Sequence, residues 1–341
     1  MESTNPEDSS RPVVVVGSFN VDHVWTVAAL PRAGETLSGE YRTGPGGKGF
    51  NQATAAARAG AGTTFVCSLG DDAGGALARS LASGDGIELR VLRSHAPTGT
   101  AGIYVDADGR NSIVIGPGAN AALTLGFIDA QGDCLQRARV VLGQLETPAI
   151  AVQAAFAQAR GHGALTVLNP APADACAPAA LWALADIVTP NESEFCTQFE
   201  RHLGERLDVQ TLASQGDAAL HALCRRLLPH GSVVVTLGAA GCFVSHAAQS
   251  LRGDASSHYR VAGASVDAID TTGAGDAFNG ALAAALARDP HAGFHQHVDY
   301  ANRYAALSTE CAGAATAMPR DTDVRARFGE IGATGTHSAP P

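Results

Sequence analysis

The seven cysteines, at positions 67, 134, 176, 196, 224, 242 and 311, include no C-x-x-C pair, so the spacing of a zinc site and a disulfide framework are both missing. Reduced thiols in a cytoplasmic protein are the expectation. No apolar run reaches membrane-spanning length, and the polar, acidic start has no apolar stretch behind a basic one. Neither a spanning helix nor a secretory leader is expected. Basic residues are outnumbered, 23 Lys and Arg against 33 Asp and Glu, for a formal charge of −10. That balance excludes a broad electrostatic footprint for nucleic acid or an anionic membrane, though not a local basic pocket.

Two common nucleotide-binding signatures are also absent. Gly44-Pro45-Gly46-Gly47-Lys48-Gly49 is not a Walker A loop, because Gly49 rather than Ser or Thr follows Lys48. Nor does it read as a dinucleotide fingerprint, since no strand run leads into it. The first strand ends Gly17-Ser18-Phe19-Asn20, without the glycine spacing a nicotinamide-dependent oxidoreductase needs.

What is present is a globular composition, 45% hydrophobic and 16% charged over 341 residues. Residues 1–11 and 328–341 are Ser/Thr/Pro/Gly-rich and read as disordered tails around one domain, 12–327. Within it, short β-branched runs at 13–16, 64–67, 140–142, 165–168, 187–189 and 233–237 alternate with helical stretches such as 149–160 and 217–228. Continuous apolar strands separated by helices predict a parallel sheet covered on both faces, with ligands beyond the carboxyl ends of its strands. Residues 98–106 and 110–115, joined by Asp108-Gly109, predict an antiparallel hairpin, and 21–41 is extended. These excursions, about 20–45 and 97–117, suggest a small β lid or two plain surface hairpins.

Segment 266–288 carries the clearest chemistry. Asp270-Thr271-Thr272-Gly273-Ala274-Gly275 is rich in small and capping residues and runs into an Ala/Leu helix over 276–288. Such a loop presents successive backbone N–H groups and the positive end of a helix, which suits the charge on a transferring phosphoryl group. Asp276, in the first turn, faces the same point and can accept the proton of an attacking alcohol. Alone, the pattern is also an ordinary N-cap.

The other candidates have equally plain alternatives. Gly46, Gly47 and Lys48, with Asn51 in the helix over 50–59, let backbone approach a ligand and offer it an amide, or form a flexible loop. Asn20 and Asp22, two apart in an extended segment, share a face and can hold vicinal hydroxyls, or form an Asx turn. Gln144-Leu145-Glu146 follows one strand run. Asn191 and Glu194 follow another, three apart at a helix start, able to hold the waters of a Mg²⁺ or to make a capping box. Thr236-Leu237-Gly238-Ala239-Ala240-Gly241 ends the last parallel strand in a turn with room for a nucleotide.

Taken in this order, the segments resemble the ribokinase (PfkB-type carbohydrate kinase) family over about 13–319. The family's two signatures match Gly46-Gly47-Lys48-Gly49-Phe50-Asn51-Gln52 and 270–280, Asp-Thr-Thr-Gly-Ala-Gly-Asp-Ala-Phe-Asn-Gly. The resemblance implies an α/β fold, a Rossmann-like parallel sheet with helices on both faces plus a small β-sheet lid, and a homodimer clasped through that lid. It implies that Asn20, Asp22, Gly46, Gly47, Asn51 and Glu146 hold sugar hydroxyls with Lys48 beside them. Asp276 would be the base, and Gly273, Ala274 and Gly275 the anion hole. Asn191, Thr236, Gly238, Gly241, Gly275 and Asn302 would contact ATP, and Asn191 with Glu194 would organise Mg²⁺ through water. An activating monovalent cation, usually K⁺, would lie at Asp270, Thr272, Ser308, Cys311, Gly313 and Ala317, mostly on backbone carbonyls, although Ala317 stands where serine is common.

The implied reaction is ATP-dependent phosphorylation of the primary 5-hydroxyl of D-ribose, giving D-ribose 5-phosphate and ADP. Leu168-Asn169-Pro170-Ala171-Pro172-Ala173 and Gly118-Ala119-Asn120-Ala121 favour that branch over fructokinase, ketohexokinase and adenosine kinase. Phe50 departs from it, since a small residue is common there. Its ring would narrow the sugar pocket or stack on a base, so a nucleoside kinase is the alternative within the family. A sugar-sensing protein without catalysis is the alternative outside it.

Overall fold

Four consecutive valines, Val13–Val16, form a strand whose side chains are all fully buried. Covered on both faces, it needs no polar alternation. In the computed structural model, which describes residues 12–329, Val13 and Val15 join one hydrophobic cluster and Val14 and Val16 another. The N-terminal tail expected at 1–11 lies outside the described residues, as does 330–341.

Among the described residues the strands are β1 Val13–Val16, β2 Asn20–Thr26, β3 Glu40–Gly46, β4 Thr63–Gly70, β5 Glu88–Ser94, β6 Gly99–Val105 and β7 Asn111–Gly116. They continue with β8 Val140–Gly143, β9 Leu165–Leu168, β10 Ile187–Val188, β11 Ser232–Thr236, β12 Cys242–His246 and β13 His258–Val261. A nine-stranded sheet runs in the order β13-β12-β11-β10-β9-β8-β1-β4-β5. Strands β8 to β11 and β1, β4 and β5 are parallel, while β12 and β13 form an antiparallel edge. The chain adds strands to one side of β1 and later, from β8, to the other. The crevice where that order reverses is where such sheets bind ligands.

Helices of eight residues or more cover both faces. They are α1 Lys48–Arg58, α2 Ala73–Gly84, α3 Ala149–Arg160, α4 Glu192–Leu203, α5 Asp217–Leu227, α6 Ala274–Arg288, α7 Phe294–Ser308 and α8 Asp321–Phe328. The face of Val13 and Val15 packs α1, α2, α6, α7 and α8, and the opposite face packs α3, α4 and α5. Helix α6 is buried from Asp276 to Ala287, which accounts for its nearly unbroken Ala/Leu sequence. Its last neighbour, α8, runs through Phe328, one residue past the expected domain boundary, and Phe328 packs on the core.

A second, four-stranded sheet has the order β3-β2-β6-β7. Its strands occupy the segments expected for a lid, except that 27–39 carries none. Here one expectation is corrected: a strand does lead into the glycine loop, because β3 ends at Gly46, with only Gly47 between it and α1. Its sequence, Glu-Tyr-Arg-Thr-Gly-Pro-Gly, has the polar, Gly/Pro-rich character that strand propensity disfavours. Pairing with β2 over seven residues makes it a strand all the same.

Candidate active site

The switch point between β1 and β8 sets Ser18 opposite Glu146. The Ser18 hydroxyl donates to Glu146 Oε2 at 2.5 Å, and the Lys48 backbone N–H donates to the same oxygen at 3.0 Å. Lys48 opens α1 behind Gly47, whose φ of 88° and close approach to the Asn20 backbone leave no place for a Cβ. Opening α6 is Gly273, also left-handed at φ 76°. The helix therefore starts at Ala274, two residues before the expected start, with Asp276 in its first turn. Packing of α1 on α6 brings Asn51 Nδ2 to 2.9 Å from Asp276 Oδ2 and Gln52 Nε2 to 2.9 Å from Oδ1. Each carboxylate oxygen is thus held by one amide.

These groups share one electrostatic environment. Burial, reinforced by Glu146 and Asp276, pushes the Asp22 carboxyl up to about 7. Asp276 is also raised, by its burial and by Glu146, against the opposing pull of Lys48 and the Asn51 and Gln52 amides. Burial alone would lower the Lys48 ammonium, but Asp276, Glu146 and Glu194 outweigh it and the net direction is upward. A cation ringed by carboxylates stays charged, and carboxylates this crowded become better bases. Asn20 is oriented from behind: Asn120 Nδ2 donates to its Oδ1 at 2.8 Å, turning the Asn20 N–H groups away as donors. Asn51 Oδ1 is buried and has no partner among the described residues.

On the other side of Asp276 a cavity of about 170 Å³ is lined by Lys48, Asn191, Glu194 and the turn Gly273, Ala274, Gly275. It shares Asn191, Thr236, Ala274 and Gly275 with a larger cavity of about 610 Å³, whose wall adds Gly238, Gly241 and Asn302. Asn302 Nδ2 donates to the Ala262 carbonyl at 2.7 Å, tying α7 to the strand end beside this cavity. The capping box at α4 forms: Asn191 Oδ1 accepts from the Glu194 N–H at 2.8 Å, and Glu194 Oε2 accepts from the Asn191 N–H at 2.9 Å. The second Glu194 oxygen remains for other partners. Among the described residues no group of three or more His, Cys, Asp or Glu could cage a metal. One spare carboxylate oxygen at a phosphate-sized cavity fits a Mg²⁺ that keeps its waters and rides on a nucleotide.

Asp270 ties the loop before α6 to the loop after α7. Its Oδ1 accepts from the Thr272 N–H and its Oδ2 from the Gly313 N–H, both at 2.9 Å. Its burial is outweighed by these donors and by Arg42, so the carboxyl is held below its ordinary value. Ser308 turns its hydroxyl back onto the Ala305 carbonyl at 2.7 Å, Cys311 is exposed and Ala317 is buried. All seven cysteines are free thiols.

Several site groups had no role assigned from sequence: Ser18, Gln52, Asn120 and Gln144. Gln52 stands in the first signature, Asn120 in the segment 118–121 and Gln144 two residues before Glu146. Phe50 proves to be a core residue, 1% exposed, edge-on to Phe19 at 5.0 Å and packed on Phe65. It points into the hydrophobic cluster under α1, so it neither narrows the sugar side nor offers a stacking face.

Residues 10–321 match the pfkB family carbohydrate kinase. Ribokinase from Mus musculus is 37% identical over 321 residues, covering 93% of this chain and 95% of that protein. A crystal structure of ribokinase from Thermotoga maritima matches with a TM-score of 0.80 at 31% identity, over 92% of this chain and 98% of that one. Ribokinase from Arabidopsis thaliana complexed with ribose and ATP matches with a TM-score of 0.76 at 30% identity, over 92% and 97% of the two chains. With a buried carboxylate at a glycine-flanked helix start and a family match spanning nearly its whole length, the chain belongs to the pfkB family of carbohydrate kinases.

Proposed function

We propose that the chain transfers the γ-phosphoryl group of MgATP to the primary 5-hydroxyl of D-ribose, giving D-ribose 5-phosphate and ADP. The observation that carries this reading is Asp276: a buried carboxylate pushed toward greater basicity, between a hydroxyl-binding group of side chains and the N–H groups of the turn at 273–275. Asp276 accepts the 5-hydroxyl proton as the oxygen attacks in line, a contribution of about 10²–10⁴-fold. The N-terminus of α6 and the Lys48 ammonium carry the charge on the transferring group. Bound Mg²⁺, its water shell held by Glu194 and the Asn191 turn, would neutralise phosphate charge.

On the sugar side, ionised Asp22 accepts from neighbouring hydroxyls and Asn20 donates to one. The unpartnered Asn51 Oδ1 takes a hydroxyl donor, and Glu146, braced by Ser18 and Lys48, holds another. Burial of Phe50 favours a free sugar over a nucleoside as acceptor. The adenine half of ATP occupies the larger cavity by Gly238, Gly241 and Asn302, with Thr236 and Gly275 at its phosphate end.

The small sheet acts as a lid that excludes water, which would otherwise compete as acceptor. It also clasps a second copy of the chain, a reading supported by the exposed Tyr41, Ile113, Val114 and Ile115. A K⁺ site lies at the loops joined by Asp270, with Thr272, Ser308, Cys311, Gly313 and Ala317 around it. A reducing, cytoplasmic setting is supported by the free thiols, and among the described residues no helix is long and apolar enough to cross a membrane. The test is ADP release with ribose, deoxyribose, fructose, adenosine, inosine and cytidine, with K⁺ or Na⁺. Ribose is expected to give the highest kcat/KM, with K⁺ raising it; preference for a nucleoside would overturn the acceptor while sparing the kinase.

A further inference from the structure

Beneath Asp276 runs a belt of buried amides assigned neither to the sugar nor to the nucleotide. Gln52, 0% exposed, donates through Nε2 to Asp276 Oδ1 at 2.9 Å and to Asn169 Oδ1 at 3.0 Å. Its Oε1 accepts from Gln144 Nε2 at 2.6 Å. With acceptors at one end of the amide and a donor at the other, only one orientation is favourable. A flip would set Oε1 against a carboxylate and Nε2 against another amide nitrogen. The belt continues from Asn169 Nδ2 to the Thr189 carbonyl at 3.1 Å, and from the Thr189 hydroxyl to Asn279 Oδ1 at 2.5 Å. It ends where Asn279 Nδ2 holds the Gly275 carbonyl at 2.8 Å.

This path crosses the carboxyl ends of β8, β9 and β10 and meets the catalytic turn twice, at the Asp276 carboxylate and at the Gly275 peptide. We propose that Gln52 is a positioning residue for Asp276: aimed by Gln144 and Asn169, it fixes the carboxylate so that its free lone pairs face the acceptor hydroxyl. An amide N–H can donate to the ionised carboxylate but cannot accept from the protonated one, so Gln52 also favours the form that acts as base. Burial works the other way, raising Asp276 with help from Glu146, and the Lys48 ammonium, Asn51 and Gln52 oppose it. The belt therefore sets both the direction and the readiness of the base. The inference rests on the reading of Asp276 given above.

Gln52→Met keeps volume and chain shape but removes every hydrogen bond. Gln144→Met leaves Gln52 in place and removes one of the restraints on its amide, the donor to Oε1, while the Asp276 and Asn169 acceptors remain. For Gln52→Met the expected result is a kcat about 10–100-fold lower near neutral pH, with KM for both substrates changed less than about threefold. The acidic limb of its kcat–pH profile should move up by about one unit, so that part of the lost rate returns at alkaline pH. Gln144→Met should shift the limb in the same direction by less, and the double variant no further than Gln52→Met alone. A merely structural belt would lower the melting temperature and leave the limb where it was. A folded Gln52→Met with kcat within about threefold of wild type and an unmoved limb overturns the proposal; should that variant not fold, an unmoved limb in Gln144→Met does so. Asp276→Asn assayed in parallel separates the two readings: turnover there removes the base itself, whereas a dead Asp276→Asn beside an unaltered Gln52→Met removes only the positioning role.

Discussion

The two halves of the crevice are built differently. On the sugar side, ionisable and amide side chains hold one another: Asp276 between Asn51 and Gln52, Glu146 between Ser18 and the Lys48 N–H, Asn20 against Asn120. On the nucleotide side, the larger cavity combines the turns at Gly238 and Gly241 and the start of α6 at Ala274 and Gly275 with uncharged side chains such as Asn191, Thr236, Phe278 and Asn302. Charged groups buried in proximity set chemistry and selectivity, whereas backbone donors accept any ligand of the right charge and shape. Single side-chain substitutions should thus be severe on the first side and mild on the second, unless they disturb a backbone conformation.

The largest effect is expected at Asp276. Asp276→Asn should lower kcat by about 10²–10⁴-fold while ATP binding, followed by titration calorimetry, changes little. A variant retaining more than about a tenth of the wild-type rate removes Asp276 as base. Next is Asp22→Asn, expected to cost about 10–100-fold in kcat/KM for the sugar. It carries a pH signature as well. Because burial, Glu146 and Asp276 raise Asp22 to about 7, the group is protonated below that pH and cannot accept from two hydroxyls. Wild-type kcat/KM for the sugar should therefore fall as pH drops through about 7, and the Asn variant should lose Asp22's share of that dependence, keeping only the limb set by Asp276. A profile that is flat from pH 6 to 8 would contradict the assignment.

The nucleotide side should yield to a backbone change before a side-chain one. Gly273→Ala forces a left-handed residue, at φ 76°, to carry a Cβ against Ala314, a strain of about 1–2 kcal/mol at the start of α6. The expected loss is about tenfold in kcat, read with KM for ATP, which should rise as well. Asn302→Ala removes the tie to Ala262 and one amide from the cavity wall, and should raise KM for ATP by about fivefold, the worth of about 1 kcal/mol. If Asn302→Ala proved costlier than Asp22→Asn, the contrast between the two halves would be wrong.

The same contrast bears on what the sequence disclosed. Buried parallel strands such as Val13–Val16 announce themselves by composition, and the turn at 270–276 by its small residues, because local chemistry alone produces both signals. Strand β3 was hidden because its pairing with β2, rather than its own propensity, makes it a strand. Phe50 was misjudged for a related reason: its neighbour Asn51 faces the site, but the helical step between them turns the ring into the core against Phe19 and Phe65. The amides of Gln52, Asn120 and Gln144 were visible but mute. Their partners lie about a hundred or more residues away, so only the folded sheet says which end of each amide is bound.

The most direct measurement is the position of the new phosphate ester, read by ³¹P and ¹³C nuclear magnetic resonance after incubation with MgATP and D-ribose. The expected result is stoichiometric ADP and an ester on the 5-oxygen, whose proton Asp276 accepts. ADP formation without any phosphorylated sugar, or an ester on another carbon, would contradict it.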